Sequence, residues 1–287
     1  MSLEVTLFLG LLDGVVFGLI MALIALGLSI AFGVMRIVNV AHGEFYMLGA
    51  VIAWYATTYL GNFILGLIIA PAAVIGLAAI VERTVLRKIN YNPESTIVAT
   101  IGLLYIIQQL VLAIYGPYAY NVEPPFYLRV DFPWFGYSGY KLSIAFVSPL
   151  IMGLTALFIF KTRLGLYMRA TQQDREIAQA FGVPVGRVYM ASFALGAALA
   201  AIAGVLVVPF LQAYYLMGLE ALLISFMIVI IGGLGSLKGT LVAALIIGVI
   251  DGVVSVFFSP TLAKIVGSVL VAAVLLVRPT GLFGAER

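Results

Sequence analysis

Nine apolar stretches follow one another along this chain, and together they leave almost nothing from which a water-soluble core could be built. They run over Val5–Ala31, Tyr46–Leu60, Phe63–Val81, Ile97–Tyr115, Ile144–Phe160, Val188–Phe210, Glu220–Leu234, Thr240–Phe258 and Ala263–Val277. Most approach or exceed the ~20 apolar residues that carry a helix across a bilayer. Charged residues make up 9% of the 287 residues, against about 25% in soluble domains. The expected fold is an all-α polytopic membrane protein of about eight to nine transmembrane helices. Tyr46–Leu60 and Glu220–Leu234 are short for a full crossing and read as re-entrant or broken helices. The chain has no cysteine, so disulfide and thiol chemistry are absent.

Lysine and arginine orient the spans. The first basic residue is Arg36, after an apolar run that carries Glu4 and Asp13. This is the wrong order for a cleavable signal peptide, and it favours an external N-terminus. On that reading Arg36, Arg83, Arg87, Lys88, Lys161, Arg163, Arg169, Arg175, Arg187, Lys238, Arg278 and Arg287 are cytoplasmic, and only Arg129, Lys141 and Lys264 are external. The bias matches the positive-inside rule and predicts a cytoplasmic C-terminus. The stretch 116–143, rich in proline and aromatics, becomes an external loop. No basic stripe with interleaved aromatics suggests nucleic acid.

The largest polar island, residues 161–187, reads KTRLGLYMRATQQDREIAQAFGVPVGR. Thr171 with Asp174 fits a capping box, which predicts a helix over Gln172–Phe181, stopped by Gly182 and Pro184. A shorter helix over Gly165–Ala170 precedes it. Ile177, Ala178 and Phe181 fall on one face. Such a knob docks a soluble partner, or it is a solvated loop with an interfacial helix.

A second unusual segment, Asn39 to Gly49, holds the only histidine, His42, and an acid, Glu44, just before an apolar run. Polar groups at membrane depth often line a pathway, and Gly43 beside them invites a broken helix. An ordinary loop or a packing hydrogen-bond cluster explains the same residues. One histidine and one carboxylate are too few for a metal site. Asp13 and Asp251 also interrupt apolar runs. Asp251 is either a proton-coupling carboxylate or a neutral group bonded between helices. Gly14/Gly18, Gly235/Gly239 and Gly248/Gly252 have the spacing that lets helix backbones approach, although 30 glycines generate some such pairs by chance.

The sequence contains no phosphate-binding G-x-x-x-x-G-K-[ST] loop; the nearest stretch, Gly232 to Gly239, places its lysine wrongly. It has no nucleophile elbow and no HExxH. The chain therefore reads as a transport subunit and not an enzyme, with no cofactor of its own. A self-sufficient channel or an ion-coupled carrier using Asp251 is the competing class.

Four segments together resemble the permease subunits of ABC importers for branched-chain amino acids. They are Ile24–Gly33; Asn39, Ala41, His42, Gly43, Met47 and Gly49 in an N-x-A-H-G-x-x-x-M-x-G pattern; Gly165–Ala170 with Ala178 and Gly182; and Ile231–Ser236 with Gly239 and the terminal Arg278–Gly284. The resemblance covers the whole chain as a single permease domain, residues 1–287, of the shorter permease type. It implies alternating access in the inner membrane. It implies a longer homologous permease as heterodimer partner, two ATP-binding subunits holding ATP and Mg, and an external substrate-binding protein. It makes residues 161–187 the coupling loop, with Arg169, Asp174, Ile177, Ala178, Phe181 and Gly182 as candidate contacts. Asn39, His42 and Glu44 become pathway candidates, and Gly232, Gly233, Gly235 and Gly239 packing or broken-helix candidates. Permeases for urea and short amides look similar.

Overall fold

The computed structural model describes residues 3–284; Arg287 of the charge count lies outside them. Each of the nine apolar stretches is a helix. In chain order these are α1 (Leu3–Met35), α2 (His42–Leu60), α3 (Phe63–Val81), α4 (Pro93–Tyr115), α5 (Gly139–Lys161), α8 (Val185–Val207), α9 (Met217–Gly232), α10 (Leu237–Phe257) and α11 (Pro260–Val277). The polar island supplies α6 (Arg163–Gln173) and α7 (Arg175–Ala180). The strands among the described residues form one antiparallel hairpin, β1 (Arg129–Asp131) with β2 (Gly136–Ser138). Among the described residues seven helical spans, α3 counted with the turn that follows it, are long and apolar enough to cross a membrane. Large apolar side chains project outward in rows spaced four residues apart, such as Phe146, Leu150 and Leu154 on α5 and Ile106, Leu110 and Ile114 on α4. A water-soluble protein does not expose contiguous apolar faces of this size.

The core is built on α1 and α8, which are buried nearly all round. Small residues let them touch: a β-carbon on Gly27 would strike the Gly196 carbonyl, and one on Gly196 would strike that of Gly27. Without a hydrophobic force between helices in lipid, such close backbone packing is the main source of association. The spaced glycines behave similarly along the α1–α10 seam, where Gly14 and Gly18 face Gly248, and Gly252 faces Gly10 and Gly14.

The two halves share one plan run in opposite senses. α1 ends beside α6, where the Arg36 guanidinium donates to the Gln172 carbonyl oxygen at 3.3 Å. From there residues 36–41 turn back into the bundle, and α2 starts part-way along it. α8 ends beside the hairpin loop, where the Tyr140 hydroxyl donates to the Leu206 carbonyl at 2.9 Å. From there residues 208–216 turn back, pinned by paired backbone bonds between Tyr120 and Ala213 (3.0 and 2.9 Å), and α9 starts part-way along. Gly43 at the start of α2 and Gly218 at the start of α9 lie against each other's carbonyls. Both segments expected to be re-entrant or broken are thus continuous helices of 19 and 16 residues entered through turns, and their N-termini meet inside the bundle.

Candidate functional site

His42 fixes where α2 begins. Its Nε2 donates to the Ile24 carbonyl oxygen at 3.0 Å. Ile24 lies 11 residues before Met35, the last residue of α1, which at 1.5 Å per residue is roughly 16 Å inside the bundle. The turn that makes this entry is built from local polar groups. The Asn39 side chain accepts from Ala41 N at 3.1 Å. Val40 N donates to Thr100 Oγ1 at 3.1 Å, and that hydroxyl donates in turn to the Thr96 carbonyl at 2.8 Å. Gln108 of α4 donates to Glu44 Oε1 at 3.0 Å, while Glu44 Oε2 and Asn39 Nδ2 have no partner.

The structure brings Asn39, His42 and Glu44 together and buries all three. They hold the α2–α4–α9 junction. The open space lies beside them. A cavity of about 520 Å³ is lined by Tyr46 from the first turn of α2, Phe17 and Met21 from α1, Gln212 and Tyr214 from the 208–216 segment, Asn121 from the 116–138 loop and Glu220 from α9. A second cavity of about 350 Å³ shares Phe17, Glu220 and Ile224 with it and continues to Asp251 and Lys264. Glu220 and Lys264 form an ion pair at 3.2 Å. Sequence reasoning missed this pair. Glu220 stands out in the sequence only as the edge of an apolar run and Lys264 only as an outer charge; at a separation of 44 residues, no local pattern joins them. Asp13 is a structural tie, taking Lys141 Nζ and the Tyr137 hydroxyl each at 2.7 Å. Among the described residues no cluster of three or more His, Asp or Glu could hold a metal.

At the opposite end, α6 and α7 form a compact knob. The two helices expected over Gly165–Ala170 and Gln172–Phe181 are present, but the boundary between them falls at Asp174 and not at Thr171. α6 runs through to Gln173, because Gly165, Met168 and Thr171 recur on one buried face. Thr171 is therefore an interior residue and not a cap. Asp174 is extended and caps α7, accepting from Glu176 N at 2.8 Å and Ile177 N at 2.9 Å. Gly182 closes the knob at φ +83°, the left-handed value that glycine adopts freely. Ile177 (57% exposed) and Phe181 (85%) point outward, whereas Ala178 (5%) points in. The three do not share one outward face. The Arg169 guanidinium lies 5.3 Å from the Phe160 ring, inside the knob's base.

The knob is tied to the rest of the bundle. Gln172 Nε2 donates to the Gly235 carbonyl at 3.2 Å. Gly235 packs on Gly33, and Gly239 on Gly232. The terminal segment closes the same corner, with Leu282 N donating to Ile231 O at 2.8 Å and Phe283 N to Gly232 O at 3.2 Å, while Gly281 abuts Gly233. Arg175 lies 5.5 Å from the Tyr189 ring, which stands edge-on to Tyr91 at 4.7 Å. The Tyr91 hydroxyl donates to Glu82 at 2.5 Å, in the π-helical turn Glu82–Leu86 after α3. Burial and that bond push the hydroxyl's pKa up to about 12.

These features define a polytopic helical membrane protein with the N-termini of two helices meeting in its core, a cavity at one end and a polar helical knob at the other. The chain belongs to the family described as branched-chain amino acid transport system / permease component, which it matches over residues 10–277. It is the membrane-spanning subunit of an importer of that type. It is 29% identical to the high-affinity branched-chain amino acid transport system permease protein LivH of Escherichia coli K12, over 95% of this chain and 94% of the relative. It is likewise 29% identical to the permease protein BraD of Pseudomonas aeruginosa, over 96% and 94%. A probable LivH of Methanocaldococcus jannaschii is 26% identical over 96% and 92%. No solved structure matches the chain.

Proposed function

We propose that this chain is the shorter of two homologous permeases in an inner-membrane ABC importer of branched-chain amino acids. The single observation that carries the reading is the α6–α7 knob. Its capping by Asp174 and its packing onto α1 and the α9–α10 corner make it rigid, and two apolar side chains, Ile177 and Phe181, stand out from it without a partner. A rigid apolar knob suits a cleft on a soluble subunit and transmits a rigid-body motion. Two ATP-binding subunits, with ATP and Mg, supply that motion. A longer permease completes the path, and an external binding protein delivers the solute. Arg169, Asp174, Ala178 and Gly182 shape the knob; Ile177 and Phe181 make the contact. Asn39, His42 and Glu44 shape the route by holding the start of α2 beside the cavity. The charge bias supports an external hairpin loop and a cytoplasmic knob.

The test is co-purification. Ile177→Asp and Phe181→Asp in the full complex are expected to leave the permease inserted while the ATP-binding subunits are lost. Full retention of those subunits in both variants would sink the docking assignment.

A further inference from the structure

We propose that Glu220 and Lys264 bind the two charged ends of an amino-acid solute, its ammonium on Glu220 and its carboxylate on Lys264, with its apolar side chain against Ile224 and Leu223. The proposal rests on the reading of this chain as a solute-translocating permease. The two charges stand 3.2 Å apart with their side chains 59% and 52% exposed. Charges turned toward hydrocarbon are costly, so this face meets water or a polar solute. Glu220 lines both of two adjacent cavities of about 520 and 350 Å³, which also share Phe17 and Ile224, and Lys264 lines the second. That is the size range of small-molecule sites, which are mostly apolar with a few placed polar groups. An ion pair this exposed contributes little to stability, so a zwitterion can replace its two halves at small cost. Asp251 lines the same space and leaves it with one carboxylate beyond the pair, which favours the ammonium end. A zwitterion satisfies both charges; a free amine or a free acid satisfies one and leaves the other paired with nothing.

The chain has no cysteine, so Ser268→Cys on the cavity wall gives this chain a single reporter, whose labelling is read on its own gel band in the assembled transporter. Saturating leucine is expected to slow maleimide labelling there, while leucinamide and isocaproate, each lacking one charged end, do not. Glu220→Gln and Lys264→Gln are expected to abolish the protection and to lower leucine uptake about tenfold or more. The double exchange Glu220→Lys with Lys264→Glu rebuilds a merely structural pair and keeps uptake only in that case. A parent that takes up leucine in an ATP-dependent way, but whose reporter leucine does not protect, overturns the site and leaves the permease reading intact. A protected reporter in a complex that takes up no leucine with ATP overturns the reading and leaves the site. Full uptake in the double exchange also overturns the site.

Discussion

Glu44 has no exposed surface and one oxygen bonded to Gln108, so its removal strands a buried amide. Glu44→Ala is expected to cost about 1–3 kcal/mol, read as a lower unfolding midpoint of the purified complex, and to reduce uptake while the subunits still co-purify. His42→Ala removes the bond that fixes where α2 starts, and the same outcome is expected. Normal uptake in both variants would reduce the segment to passive packing. The rarity of polar residues made Asn39, His42 and Glu44 visible in the sequence. Their burial was not legible there, because a helix that is apolar all round carries no pattern saying which face meets the core. Glu220 and Lys264 were invisible for the complementary reason. Each is an ordinary charge near the end of an apolar run, and only the fold brings them together.

The knob's helices follow from capping more than from hydropathy. Asp174, Gly182 and Pro184 were readable as punctuation, and Gly182 does take the left-handed conformation. Thr171 was misread because a capping box requires its first residue to leave the helix, and here packing of Gly165, Met168 and Thr171 keeps α6 going. Asp174→Ala is expected to destabilise α7 by about 1 kcal/mol and to weaken capture of the ATP-binding subunits without preventing membrane insertion. Gly182→Val places a β-branched residue at φ +83°, a conformation costing at least about 1 kcal/mol, with nothing within 4 Å to obstruct it. Its effect is therefore backbone strain alone. Ala178→Glu acts differently, since Ala178 is buried within the chain; it disrupts the knob from inside. In all three variants uptake is expected to fall further than the amount of inserted permease, and equal falls would point to misfolding. Tyr46–Leu60 and Glu220–Leu234 look too short for a full crossing, yet each is one unbroken helix, and α2 gains length from residues 42–45 to reach 19 residues; the meeting of the two at Gly43 and Gly218 is a product of tertiary packing that no local window contains.

For the whole molecule, the inverted arrangement of α1–α2 and α8–α9 places the cavity and the knob at opposite ends of one bundle. Its orientation is open to labelling. Single cysteines at Ser138, in the hairpin, and at Gln179, on α7, would replace exposed residues. An impermeant maleimide added to intact cells is expected to reach Ser138→Cys and not Gln179→Cys; labelling of the second from outside would invert the map. The central claim is that separate ATP-binding subunits on the cytoplasmic knob drive transport through this chain. Leucine accumulation by proteoliposomes holding the complete complex, with ATP enclosed or left out, tests it most directly. Accumulation is expected only with hydrolysable ATP and is expected to be lost with Phe181→Asp, whereas accumulation without ATP, driven by an ion gradient or running passively to equilibrium, would contradict the account.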